Sequence, residues 1–151
     1  MKMNMTMITY RSLSILLGAV FLLSAVAKMM GLDAFGGEVR LYLDTYFNGL
    51  LSDYSLCVAG LICMAELLAG ICCLVPSCRR YVHLAIFALL TLFIYLTGDN
   101  YFHPSATGRI ESCGCFGEWI HFTPLGSFIK SSVLWGIALV CLVAGRKEFV
   151  K

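Results

Sequence analysis

An all-α bundle of four transmembrane helices is the fold class this sequence predicts, and three observations predict it. Mean hydropathy is +0.85. Hydrophobic residues make up 60% of the chain and charged residues only 13%, far from the balance of a soluble domain. The apolar residues gather in four stretches, 13–30, 56–75, 81–97 and 125–144. Each approaches the roughly 20 residues that a helix needs to cross a hydrocarbon core of about 30 Å. Little sequence is left between them, so the 151 residues are expected to form a single integral membrane domain.

The first span follows Lys2 and Arg11. Ala25-Val26-Ala27 resembles a signal-peptidase site, but the apolar run continues through Met29 and Met30, so a retained span is expected. After it, Phe35, Val39, Leu41, Tyr42, Leu43, Tyr46 and Phe47 are mixed with charged residues. That pattern fits an amphipathic helix lying in the membrane interface.

The second span carries Glu66, ten residues beyond Leu56. At 1.5 Å per residue it sits about 15 Å down the helix, near the bilayer midplane. A carboxylate there is costly and is expected to face the bundle interior and pair. Helical periodicity puts Ala59, Cys63, Glu66, Gly70 and Cys73 on one face. These small side chains suit tight helix packing in lipid. Lys28, near the end of the first span, has the reach to meet Glu66. Such a pair would fix how spans one and two pack, as buried ionic pairs do when they act as registry devices; a proton-accepting role for Glu66 is the alternative.

The third span is short, and the fourth holds Lys130 near its start, where a long side chain can snorkel to the interface. Tyr95, Tyr101, Phe102, Trp119 and Phe122 cluster where the second long loop meets lipid, as an aromatic belt does. Basic residues set the orientation. Lys2, Arg11, Arg79, Arg80, Arg146, Lys147 and Lys151 fall on one side, seven of the eleven Lys and Arg. The other side has Lys28, Arg40, Arg109 and Lys130, diluted by acids. The positive-inside rule places both termini in the cytoplasm and the two longer loops outside. The net charge of +2 therefore reflects topology. No basic patch is interleaved with aromatics, so nucleic acid is not an expected partner.

Chemistry concentrates in the second long loop, at Cys113-Gly114-Cys115-Phe116-Gly117. In an oxidising compartment such a pair is free to close. A disulfide needs Cα atoms within about 4.4–6.8 Å, and Gly114 lets the backbone bend to that separation. Small, exposed disulfide rings belong to the labile or catalytic class, and nearby Arg109 would promote the thiolate of the attacking cysteine. A static staple competes with that role. A zinc or copper site with His103 and His121 is disfavoured because the spacing fits no standard zinc pattern. Of the six other cysteines, Cys57, Cys72, Cys73, Cys78 and Cys141 are expected to be packing residues. Cys63, on the Glu66 face, is the one worth testing for exchange with the loop pair.

The four spans, Lys28 closing the first, Glu66 inside the second, and the CGCFG string before the fourth resemble the methylamine-utilisation MauE and DoxX-like redox-associated membrane proteins. The resemblance covers nearly the whole chain, though only the string and the Lys and Glu placements are specific. It implies a four-helix membrane bundle distantly like vitamin K epoxide reductase and DsbB-type proteins. It also implies action on thiols together with a periplasmic thioredoxin-like or cysteine-containing partner. Vitamin K epoxide reductase uses Cys-x-x-Cys where this chain has Cys-x-Cys, a departure that counts against a bound quinone, the one cofactor the resemblance suggests. The expected function is disulfide exchange at Cys113 and Cys115, supported by Glu66, Lys28, Cys63 and Arg109, in a bacterial inner membrane with the loop on the periplasmic side. The alternatives are a non-catalytic assembly factor with a structural disulfide and a quinone-linked electron-transfer subunit.

Overall fold

Backbone groups inside a bilayer must hydrogen-bond within their own segment, and a chain this apolar therefore builds helices. The computed structural model describes residues 5–103 and 124–148. Among these the chain forms α1 (Met5–Met30), α2 (Leu32–Phe47), α3 (Ser55–Leu74), α4 (Arg79–Phe102) and α5 (Pro124–Glu148). Four segments are long and apolar enough to cross a membrane: Ile8–Met30, Ser52–Leu74, Tyr81–Asp99 and Leu125–Gly145. This is the expected multi-pass, all-helical membrane architecture.

Local chemistry sets the helix ends. Helix α2 stops at Asn48, which adopts a left-handed conformation (φ 50°, ψ 38°), and Gly49 follows at φ 79°. Asn and Gly tolerate that conformation best, which is why they close helices. Ser52 then secures the turn by donating to the Gly49 carbonyl (2.7 Å) and to Asp44. Helix α3 ends because Pro76 forces the residue before it out of helical geometry; Val75 is extended (φ −87°, ψ 118°). Helix α4 runs past Thr97 to Phe102. Hydropathy reports contact with lipid, whereas helicity needs only the backbone ladder, so a helix can continue where its apolar run stops.

The helices run up and down. Tyr10 of α1 meets His83 of α4, and its ring lies against Gly145 of α5, so the two chain ends share one end of the bundle. At the other end Tyr46 of α2 donates to Asp99 of α4. There the Tyr101 ring of α4 stacks on Phe128 of α5, with centroids 6.4 Å apart and planes 9° apart. The segment between α4 and α5 therefore begins and ends at that same end, beside this aromatic cluster.

Two cores hold the bundle. Leu17, Phe21, Cys73, Ile86, Leu90 and Ala138 pack between α1, α3, α4 and α5. Phe35, Val39 and Leu43 of α2 pack on Ala59 and Cys63 of α3. Helix α2 thus exists where the sequence indicated, but it docks its apolar stripe onto α3. Glycine allows the closest approach, between α1 and α3. A Cβ on Gly70 would meet Leu22 Cγ at 2.7 Å and the Gly18 carbonyl oxygen at 3.1 Å. In lipid, where no hydrophobic drive pulls helices together, such intimate packing holds the pair.

Candidate functional site

Helix periodicity decides which face of α3 turns inward. Ala59, Cys63, Glu66, Ala69, Gly70 and Cys73 are all buried, the face the sequence marked. Opposite Glu66, α1 presents Lys28 less than a turn from its C-terminal end. Lys28 Nζ donates to Glu66 Oε1 at 2.5 Å, and the two side chains are 1% and 2% exposed. Ser24, one turn before Lys28, donates to Glu66 Oε2 at 3.3 Å. Both carboxylate oxygens thus accept a hydrogen bond, as a charge in a membrane interior requires. The ammonium also lies 5.1 Å from the centroid of Phe35 and 5.0 Å from that of Phe93. Both are within the roughly 6 Å over which aromatic faces attract a cation.

A small cavity of about 30 Å³ adjoins the pair, with Ser24, Lys28, Glu66, Lys130 and Ser131 in its wall. A water needs about 10–15 Å³ of such space and two to four polar partners, so the cavity is large and polar enough for one. The arrangement fixes α1 to α3 and gives their contact a polar, hydrogen-bonded centre.

Of the supporting residues named from sequence, the structure brings Lys28 and Glu66 together. It places Cys63 on the same face but buried against α2, in a core with Phe35, Val39 and Ala59. Cys63 therefore occupies the position of a packing residue. Cys73 and Cys141 are buried as well, and Cys72 is half-buried. Cys57 and Cys78 are exposed, which corrects their expected packing role: the angular step from Cys57 to Cys63 turns the former away from α3's inner face. Cys113, Cys115 and Arg109, like His121, Trp119 and Phe122, lie outside the described residues.

The chain from residue 5 to residue 144 matches the family model described as methylamine utilisation protein MauE. It belongs to the MauE family. Among curated proteins, this MauE-family chain is 29% identical over 125 residues to Protein TlpB of Flavobacterium psychrophilum. The match covers 81% of this chain and 33% of that protein, so the chain spans about a third of the length of its relative. No solved structure matches it.

The structure also contains polar residues that the sequence did not single out. Ser14 Oγ donates to the Cys73 carbonyl (3.3 Å) and lies 3.1 Å from His83 Nε2; Tyr10 Oη is 3.4 Å from His83 Nδ1. Since the serine hydrogen goes to the carbonyl, its oxygen accepts from Nε2–H, leaving Nδ1 as acceptor for Tyr10. His83 is 1% exposed, and a lone imidazole in an apolar span was the signal available for it. At the opposite end, Tyr46 lies over α4, and its phenol is pushed up from its ordinary pKa, first by burial and then by the hydrogen bond to Asp99. Asp99 also faces His103, at 3.2 Å.

Proposed function

We propose that this MauE-family membrane protein exchanges disulfides with a thioredoxin-like or cysteine-containing protein through Cys113 and Cys115. The observation that carries this is a Cys-Gly-Cys pair set in the connection between two spanning helices. The excess of Lys and Arg at the other end of the bundle supports a periplasmic position for that connection, in a bacterial inner membrane, where thiols oxidise.

The exchange proceeds in two displacements. A thiolate of the partner attacks one sulfur of the Cys113–Cys115 bond, forming a mixed disulfide and releasing the other loop cysteine as a thiolate. The partner's second thiolate then attacks the mixed bond, closing the partner's disulfide and freeing the loop dithiol. Two electrons have moved from partner to loop, and the protons follow the thiolates. Arg109 supplies positive charge that favours the thiolate form. Glu66 and Lys28 act at a distance, as the pair that fixes α1 against α3. Whether the partner's own chain carries further domains does not alter this chemistry.

Alkylation of the purified protein in thiol–disulfide buffers tests the proposal. The loop pair is expected to pass from disulfide to dithiol within the range of catalytic couples, about −270 to −120 mV. A pair that stays oxidised at −300 mV behaves as a static staple and refutes it.

A further inference from the structure

Serine and threonine hydroxyls inside a membrane helix commonly satisfy themselves by donating to the carbonyl one turn back. Thr91, Thr97 and Ser132 do so, to Phe87, Phe93 and Phe128 at 2.7–2.8 Å. Two hydroxyls of α5 do not. Ser131 is 2% exposed and lies in the wall of the small cavity beside Lys28 and Glu66; among the described residues its hydroxyl has no hydrogen-bond partner. Ser127, one turn earlier, is 1% exposed, and its buried Oγ is likewise unpartnered among them. The two are four residues apart and therefore share a face. Ser127 stands in the first turn of α5, and Ser131 lies about 10 Å along the helix from its start at Pro124. Toward the end that carries the chain termini, Phe21 and Leu90 close the cavity. One turn further along α1 and α4 come the buried, apolar Leu17 and Ile86. The polar groups thus lead from Lys28 and Glu66 only toward the end where the segment between α4 and α5 leaves the bundle.

A buried hydroxyl without a partner is costly, and water is the partner that fits here. The cavity, about 30 Å³, has room for one or two waters. Ser131 and Ser24 offer hydroxyls, and Glu66 offers carboxylate lone pairs. The Lys28 ammonium has three N–H groups, of which Glu66 Oε1 takes one. We propose that Ser127 and Ser131 hold water that joins the Lys28–Glu66 pair to the loop end of the bundle, so that this buried pair exchanges protons with that side of the membrane. The pair then has a second role besides pinning α1 to α3. In each exchange the ammonium passes an N–H proton to the bound water, and the water passes one of its own outward past the serine hydroxyls. A solvent proton returns by the same steps, so no net charge is stranded. A small anion suits the cavity less well, because the Glu66 carboxylate faces the same space. The inference does not depend on disulfide exchange.

The test is hydrogen–deuterium exchange at Lys28 Nζ, followed by nuclear magnetic resonance on the full chain in detergent with nitrogen-15 lysine. The Lys28 signal is the one missing from Lys28→Arg. In the wild type it should exchange well before the buried backbone amides of α3. Ser127→Val/Ser131→Val, which removes both hydroxyls and fills their space, should slow it about tenfold, the factor that one lost hydrogen bond carries. Ser132→Val, whose hydroxyl is already bonded to the Phe128 carbonyl, should leave the rate unchanged. A second reading needs no double variant. If water bridges Ser131, Ser131→Ala lowers the melting temperature by removing a partner of that water; if the hydroxyl is an orphan, the same change raises it. A Lys28 signal as persistent as the α3 amides overturns the proposal. So does exchange that Ser127→Val/Ser131→Val leaves at the wild-type rate, or a Ser131→Ala chain that melts higher than the wild type.

Discussion

Lys28 Nζ and Glu66 Oε1 stand 2.5 Å apart, on side chains that are 1% and 2% exposed, at the crossing of α1 and α3. Neither charge has access to water from the surface, so each depends on the other. Ser24 and the rings of Phe35 and Phe93 complete the coordination. This pair is the electrostatic pin of the bundle.

Removing one member should therefore cost more than removing both. Lys28→Met leaves Glu66 buried without its counter-charge and is expected to lower stability by about 3 kcal/mol. Lys28→Met/Glu66→Leu should recover most of that loss, because an apolar pair of similar volume needs no desolvated charge. Unfolding of the detergent-solubilised protein by thermal shift or SDS titration measures both. A double variant as unstable as the single one would point to a role beyond pairing.

The α1–α3 contact also depends on an absent side chain. Gly70→Val would place methyl groups where even a Cβ meets Leu22 at 2.7 Å, and overpacking of this kind costs about 1–3 kcal/mol. Gly60→Ala is the control: nothing lies within 4 Å of a Cβ there, and its melting temperature should match that of the wild type.

The Tyr10–Ser14–His83 cluster predicts a graded series. Ser14→Ala deprives both the Cys73 carbonyl and His83 Nε2 of a partner, with an expected loss of about 1–3 kcal/mol. Tyr10→Phe should cost less, since its contact, at 3.4 Å, is at the long end of hydrogen-bond range. Equilibrium unfolding of the two single variants checks the order.

Tyr46 predicts an alkaline effect. Its folded pKa is raised above the unfolded value, which is about 10, so the fold favours the protonated phenol. Its contribution is intact below pH 10 and is lost as pH climbs through the raised folded value. In an ultraviolet titration of phenolate, a component that ionises well above pH 10 should disappear in Tyr46→Phe. If Tyr46→Phe removes an ordinary component near pH 10 instead, the bond to Asp99 does not hold in solution.

Much of this was legible in the sequence because membrane helices obey simple rules. The apolar runs gave the spans, and a period of 3.6 put Ala59, Cys63, Glu66, Gly70 and Cys73 on the buried face. The cost of a midplane charge led from Glu66 to Lys28. What stayed hidden depends on how helices come together. The Tyr46–Asp99 contact joins α2 to the far end of α4, and the Ser14–His83 contact joins the starts of α1 and α4; no spacing along the chain encodes either. A cavity beside Tyr42 arises because α2 docks on α3 without filling the space toward α4. Apolar patterning shows that α2 has a buried stripe but not what the stripe leaves open.

The central claim is that Cys113 and Cys115 exchange disulfides with a protein partner. The most direct measurement is covalent trapping in cells, with Cys113→Ser and Cys115→Ser expressed separately and membranes quenched with acid before non-reducing electrophoresis. One of the two variants should accumulate a reducible mixed disulfide with an exported protein, and the double variant should accumulate none. If neither single variant traps a partner, the loop pair does not exchange disulfides, and the account of this protein as a thiol–disulfide exchanger is wrong.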